Sequence, residues 1–231
     1  MLKHTLMAAA ISFSTMAATA AEITLLSEGF DNVAGLSGWV ISNQSSPGGA
    51  IAEGWFQGDS TFAGQAGGLG SYIGSSYNVA RSSPGLISTW LLTPTFSTAN
   101  DGTVSFWVKA EIDPTGSFSD TFRFGLNTGS TNLASFSLSP LITALGDWTQ
   151  YSLNFASAGA GSQARLAIQY SGNFATSNYL GVDSVLVTAI PESSTYALTG
   201  VGLLGLALVR RRRSVASTTC SNFGESRATS A

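Results

Sequence analysis

Residues 22–190 lack the two residue types on which many enzyme and metal sites depend. The single histidine of the chain is His4 and the single cysteine is Cys220, and both lie outside this segment. Catalysis that needs histidine or cysteine, and zinc sites built from them, are therefore excluded there. Disulfides are excluded as well, so the roughly 170 residues must be held together by an apolar core, for which that length suffices.

Positive charge is also scarce in this segment. It contains eleven acidic and four basic residues, a formal charge of −7, whereas the whole chain carries −3. This excess of negative charge argues against binding nucleic acid. We predict that the protein is not an enzyme: a glycosidase needs only two carboxylates, but most of these acids adjoin Gly, Pro or Asn in predicted turns, where solvated acids are common.

Helical periodicity is missing, whereas the alternation typical of β-strands is frequent. Five segments alternate apolar and polar residues, namely 103–112, 120–126, 148–155, 165–170 and 179–188. Turns rich in Gly, Asp, Asn and Pro separate them, which predicts an all-β fold, an antiparallel β-sandwich of the jelly-roll type. Residues 42–83 are rich in Gly and Ser and predict long loops with one or two short strands.

The last of these strands contains an unexpected acid. Alternation predicts one face of Leu180, Val182, Ser184 and Leu186, and an opposite face of Asp183, Val185 and Val187. Glu28 and Asp31 lie at the first strand, and first and last strands are often neighbours in jelly rolls. With Asp183 they predict a structural calcium site, because calcium binds carboxylate oxygens. The alternative is that Asp183 bonds backbone amides or Arg165; no other cofactor is predicted.

The five tryptophans divide into two groups. Four adjoin apolar strand residues and are predicted to be core: Trp39, Trp55, Trp90 and Trp148. Trp107 instead shares a strand face with Ser105, Lys109 and Glu111. An aromatic ring among polar groups is typical of a platform for a sugar ring, with Lys109 and Glu111 orienting its hydroxyls. The alternative is that Trp107 lines a second, loop-covered face of the sandwich.

Both ends of the chain predict export. Residues 1–21 combine a basic start, an apolar middle and a small-residue exit, the pattern of a secretory signal peptide. Residues 191–213 begin with Pro191, Glu192 and Ser193, continue with an apolar run, and end with Arg210, Arg211, Arg212 and Arg213. This order predicts a short membrane helix with its arginines on the cytoplasmic side. Residues 214–231 are predicted to be a disordered tail.

This C-terminal segment resembles the PEP-CTERM sorting signal, which combines Pro-Glu-Pro, a short helix and an arginine cluster. Two features depart from that pattern: Ser193 replaces the second proline, and eighteen residues follow Arg213. The resemblance implies an exosortase-type processing enzyme as a partner. It also implies anchoring in the inner membrane before processing, and then a location on the cell surface or outside the cell. The alternative is a plain membrane anchor.

Residues 22–190 resemble the choice-of-anchor J domain family through an ordered series of motifs. These are Phe30-Asp31, Gly38-Trp39, residues 54–58, 62–67, 71–74, 87–94, 120–124 and 177–185. The resemblance, and a looser one to MAM-type and cleaved-adhesin jelly rolls, implies a jelly roll outside the cell and no known activity. We therefore expect a non-enzymatic surface or extracellular-matrix protein. The alternative function is a carbohydrate-binding module acting on exopolysaccharide.

Overall fold

The structure is a computed structural model that describes residues 21–82, 84–190 and 202. Within them the chain forms thirteen strands and three short 3₁₀ helices. The strands are β1 (Ile23–Glu28), β2 (Val40–Asn43), β3 (Phe56–Gln57), β4 (Ile73–Ser76), β5 (Leu86–Leu92), β6 (Phe96–Ser97), β7 (Gly102–Ala110), β8 (Thr121–Asn127), β9 (Ser137–Leu138), β10 (Ile142–Thr143), β11 (Thr149–Phe155), β12 (Gln163–Asn173) and β13 (Tyr179–Ala189). The 3₁₀ helices are Val33–Gly35, Tyr77–Val79 and Leu133–Ser135.

These strands form two antiparallel sheets. The six-stranded sheet has the order β11-β7-β13-β4-β3, with β1 also paired to β13. The seven-stranded sheet has the order β10-β8-β12-β5-β2, with β6 paired to β12 and β9 to β8. The all-β, two-sheet architecture predicted from the alternation is therefore confirmed. The five predicted strands correspond to β7, β8, β11, β12 and β13.

The main core lies between the sheets because strand residues alternate between an inward and an outward face. In β7 the side chains of Val104, Phe106 and Val108 are fully buried. The Phe106 ring meets that of Phe124 from β8 edge to face, with 5.0 Å between centroids. Such aromatic contacts add to the large apolar area that each ring buries. The alternation thus supplies the stabilising core that a segment without disulfides needs.

A β-bulge in β13 changes the faces that simple alternation predicts. The pairing with β7 shifts between Asp183 and Leu186, and Ser184 there has a positive φ of 50°. The one extra residue of the bulge returns Val185 and Val187 to the core, on the same side as Leu180 and Val182. The predicted face assignment after Ser184 is therefore wrong, because a bulge breaks the two-residue period.

Of the predicted signal peptide, 1–21, only Ala21 is among the described residues. The sorting segment with Pro191, Glu192, Ser193 and Arg210–Arg213 also lies outside them, except Gly202, as does the tail 214–231. In the part of the chain that the structure does describe, no helix is both long and apolar enough to cross a membrane.

Candidate functional site

Trp107 lies on the outer face of the six-stranded sheet, where sequence alternation predicted it. Its neighbours in β7 that point inward are buried, whereas Trp107 itself is half-buried. Across the strands it is flanked by Gln150 of β11 and Asp183 of β13. The indole is therefore in the middle of the sheet, between an amide and a carboxylate, rather than at a strand end.

The strands around Trp107 present an uncharged outer surface, which we call the Trp107 face. Cross-strand register places ten uncharged residues on it, beside the buried Asp183: Thr24, Ser27, Thr103, Ser105, Trp107, Gln150, Ser152, Asn154, Leu186 and Thr188. Six of the ten are exposed and the others are half-buried. Hydroxyl and amide groups both donate and accept hydrogen bonds, so this surface can bond polar groups of either kind.

Trp107 differs from the other four tryptophans in its surroundings. Trp39 and Trp55 belong to the main core, as predicted. Trp90 and Trp148 belong to two smaller clusters on the outer faces of the sheets. Trp107 belongs to none of these clusters, and its indole N–H makes no hydrogen bond to another described residue and is not buried. Its indole N–H is therefore available to a ligand, and its half-buried ring is not covered by an apolar cluster of the described residues.

An aromatic cluster borders the Trp107 face at one end. We call it the Phe62 cluster; it contains Phe56, Phe62, Tyr72, Trp148 and Tyr179. Segment 58–72, between β3 and β4, brings Phe62 over the sheet, where its ring stacks on Tyr72 with 4.5 Å between centroids. The hydroxyl of Tyr72 lies 3.2 Å from that of Tyr179, and Trp148 donates its indole N–H to the Ala63 carbonyl at 3.0 Å.

The two charged residues predicted to assist Trp107 are engaged elsewhere. The Lys109 ammonium lies 5.1 Å from the centroid of the Phe62 ring, a cation–π contact. The Glu111 carboxylate accepts a hydrogen bond of 3.0 Å from the Asn178 side chain. The hydrogen-bonding groups beside Trp107 are instead those of Gln150, Ser105 and Ser152. Strand alternation could not reveal this, because segment 58–72 covers the Lys109 end of the face.

Asp183 has the backbone partners that the sequence suggested as an alternative. Its side chain is fully buried and accepts hydrogen bonds from the Ala66 and Ser184 amides. Burial raises the pKa of this carboxyl, and the hydrogen bonds from the two amides lower it in part. The Ser184 hydroxyl donates to the Gln65 side chain at 2.8 Å. Asp183 thus ties segment 58–72 to the bulge in β13.

The three acids predicted to bind calcium have different surroundings. Glu28 accepts a hydrogen bond of 2.9 Å from the Phe30 amide, Asp31 is exposed, and Asp183 holds segment 58–72. Among the residues that the structure describes, no group of three or more His, Cys, Asp or Glu side chains is arranged to hold a metal ion. In the structure Glu28 and Asp183 each accept hydrogen bonds from backbone amides.

The outer face of the seven-stranded sheet is closed over its tryptophan. Trp90 is only 8% exposed and packs with Leu92 and Ala167. Segment 128–141 covers this cluster with Leu133, Phe136 and Leu138. The hydroxyl of Ser88 accepts hydrogen bonds from the Trp90 indole and the Gln169 amide, at 3.2 and 3.0 Å. Trp90 is therefore buried and its polar atom satisfied, which makes it structural.

Asp120 is a buried acid that the sequence did not single out. It accepts hydrogen bonds from the Tyr170 hydroxyl and from the amides of Asn178 and Tyr179. Burial raises the pKa of its carboxyl, which these hydrogen bonds partly oppose. A buried acid with a raised pKa is one pattern of a general acid. Here both oxygens are already bonded to groups of the fold, so Asp120 is a structural crosslink.

A cleft of about 610 Å³ lies at the ends of β7 and β11, where Thr103 and Asn154 of the Trp107 face line it. Among the described residues Asp101 is the one acid that lines it, and its carboxylate accepts a hydrogen bond of 2.6 Å from the Ser157 amide. A glycosidase centre needs two facing carboxylates. The described lining of this cleft therefore contains one carboxylate and not a facing pair.

Comparison with known proteins identifies the fold. No family model and no curated protein matches the chain. Among solved structures, the K1 cleaved adhesin domain of Lys-gingipain from Porphyromonas gingivalis W83 has a TM-score of 0.55 at 20% identity, covering 73% of this chain and 99% of that domain. The K3 domain of the same protein has a TM-score of 0.49 at 19% identity, covering 73% and 99%.

Carbohydrate-binding modules also occur among the structural neighbours. The family 11 module from Clostridium thermocellum, solved with a β-1,3-1,4-mixed-linked tetrasaccharide, has a TM-score of 0.43 at 15% identity. The alignment covers 72% of this chain and 97% of that module. Some other neighbours are parts of enzymes. At these identities the likeness establishes the fold alone: the chain has the two-sheet β-sandwich of the K1 cleaved adhesin domain.

Proposed function

We propose that this chain is an exported, non-enzymatic protein of the cell surface or extracellular matrix whose β-sandwich binds exopolysaccharide on the Trp107 face. The observation that carries the proposal is the position of Trp107. It is the tryptophan outside all three apolar clusters, on an uncharged face, with its indole N–H free of partners among the described residues. A sugar ring stacks its apolar face on such an indole, and neighbouring amides and hydroxyls bond its hydroxyls.

The non-enzymatic part of the proposal rests on the acids. Asp120 and Asp183 are bonded to groups of the fold, and Asp101 lines its cleft without a second acid. The segment also contains no histidine or cysteine. What supports a binding role, therefore, is a surface that offers stacking and hydrogen bonds without a nucleophile or an acid–base pair.

Substitution of Trp107 tests the proposed site. In the purified full chain, Trp107→Ala should abolish binding to a polysaccharide found by a glycan-array screen of the wild type, with unchanged circular dichroism. The matched control is Trp39→Ala, because Trp39 is also half-buried but packs on Phe30 in the core, at 5.0 Å between centroids. The control should lose stability and keep binding while folded. Equal binding by Trp107→Ala and wild type would refute the site.

Sorting is the second part of the proposal, and it rests on the sequence of the tail. Pro191 and Glu192, the apolar run and Arg210–Arg213 resemble a PEP-CTERM signal, which an exosortase-type enzyme would process after the helix has anchored the chain in the inner membrane. Replacing Arg210–Arg213 with Gln should change the mature mass or the location of the protein in cell fractions. An unchanged mass and location would refute it.

A further inference from the structure

We infer that the ligand of the Trp107 face is an uncharged polysaccharide that lies along β7 and β11, an inference that rests on the proposed function. The first argument is the composition of the face. Its ten exposed or half-buried residues are all uncharged, and the acid in register with Trp107, Asp183, is fully buried. A carboxylated or sulfated sugar chain needs cations to replace the water it loses, and this face supplies none.

The second argument is that the charged groups nearest to Trp107 have partners elsewhere in the fold. Lys109 is held over the Phe62 ring, and Asp183 is buried under the Ala66 amide. Glu111 is exposed, but it lies four residues from Trp107 along the chain and its carboxylate is bonded to Asn178. A ligand that contacts Trp107 therefore meets the neutral groups of Gln150, Ser105 and Ser152, which recognise hydroxyls and not ions.

The third argument is the electrostatic field that the net charge of the protein produces. Residues 22–190 carry a formal charge of −7, so an acidic polymer approaching the Trp107 face is repelled at low salt. An uncharged polymer is not affected by this field. The net charge and the local composition of the face therefore favour the same class of ligand.

The path along the strands follows from the geometry of the face. Thr103, Ser105 and Trp107 alternate along β7, which gives a strip about 14 Å long at about 3.4 Å per residue. Asn154 and Ser152 lie beside Thr103 and Ser105 in β11. The Thr103 hydroxyl donates to the Asn154 side-chain oxygen at 3.0 Å, which leaves the Asn154 amide nitrogen free to donate. At the Trp107 end, segment 58–72 closes the strip.

The experiment compares neutral and acidic polymers in affinity electrophoresis of the full chain. The neutral probes are mixed-linkage β-glucan, β-1,4-galactan and dextran; the acidic probes are alginate, polygalacturonate and hyaluronan. We expect at least one neutral polymer to retard the protein and no acidic one to do so. The affinity should change less than about twofold when NaCl is raised from about 50 mM to about 500 mM, because no ion pair is screened.

Variants connect that binding to the Trp107 face. Trp107→Ala should abolish retardation by the neutral polymer, and Gln150→Ala and Ser105→Ala should each weaken it roughly three- to tenfold, the usual effect of one lost hydrogen bond. Ser97→Ala, on β6 of the other sheet, is the matched control and should bind as the wild type does.

The outcomes separate the inference from the proposed function. Trp107-dependent binding of an acidic polymer, weakened by salt, would overturn the neutral ligand class and keep the polysaccharide-binding function. Binding that Trp107→Ala leaves unchanged would overturn the site on which both rest. No retardation by any of the six polymers, with the protein folded, would overturn the polysaccharide-binding function and the inference together.

Discussion

The two outer faces of the sandwich each have a central tryptophan and a covering segment, but only one tryptophan stays accessible. On the seven-stranded sheet, segment 128–141 lies over Trp90 and leaves it 8% exposed. On the six-stranded sheet, segment 58–72 lies over the Lys109 end and leaves Trp107 half-buried. The comparison shows that the position of a loop, more than the strand pattern, decides which tryptophan can meet a ligand.

The largest expected effect is on stability and concerns segment 58–72, which covers part of the six-stranded sheet. Tyr72 is fully buried at the centre of the Phe62 cluster, so Tyr72→Ala should lower the free energy of unfolding by about 3–5 kcal/mol, as large aromatic truncations do. On the other face Phe136 is half-buried, and Phe136→Ala should cost clearly less. Urea unfolding measures both; a larger loss for Phe136→Ala would reverse the comparison.

A smaller effect on stability is expected at Gly125 of β8, because β8 pairs with β9 in the segment 128–141 that covers the seven-stranded sheet. A Cβ built on Gly125 would lie 2.0 Å from the Ser137 carbonyl oxygen, so β9 must shift. Gly125→Ala should destabilise the protein by about 1–3 kcal/mol, the usual range for overpacking, and should leave Trp107-dependent binding unchanged. Gly68→Ala is the control, because no atom lies within 4 Å of its added Cβ. Equal stability of the two variants would contradict the proposed strain.

The pH dependence of stability tests the Asp183 crosslink. Burial raises the pKa of Asp183 above its ordinary 3.8, so the folded state holds this proton more tightly than the unfolded state. Its contribution is full below pH 3.8 and is lost as pH rises through the higher folded value. The stability of the wild type relative to Asp183→Asn should therefore fall as pH rises across that window.

Asp113 provides a matched control of opposite sign. Hydrogen bonds from Thr115 hold the pKa of its exposed carboxyl below 3.8. Its contribution is present above that value and is lost as pH falls, so wild type relative to Asp113→Asn should become less stable on acidification. The same sign of pH dependence for both substitutions would refute the Asp183 prediction.

The smallest expected effect concerns metal. Because Glu28 and Asp183 already have backbone partners, a chelator should leave the thermal unfolding midpoint unchanged. The measurement is differential scanning fluorimetry of the full chain with EDTA and with excess calcium. A midpoint that falls with EDTA and recovers with calcium would support the calcium site predicted from Glu28, Asp31 and Asp183.

Several features of the site could be predicted from sequence, and others could not. The period of two placed Trp107 outward and Phe106 inward, because successive strand residues point to opposite faces. The same rule assigned the wrong faces after Ser184, because a bulge inserts one extra residue there without an obvious sequence signal. Phe62 and Tyr72, aromatic residues inside a Gly-rich segment, were a signal of a packed loop. Nothing local marked Asp120, whose partners are about 50 residues away or more.

The sequence by itself determined the two-sheet fold, the absence of histidine and cysteine chemistry between residues 22 and 190, and the outward position of Trp107. These properties depend on composition and on neighbours within one strand. Only the tertiary structure decided that Lys109 contacts the Phe62 ring, that Asp183 is buried, and that segment 128–141 covers Trp90. These outcomes depend on segments distant in sequence, whose packing onto a sheet is set by contacts that no local pattern encodes.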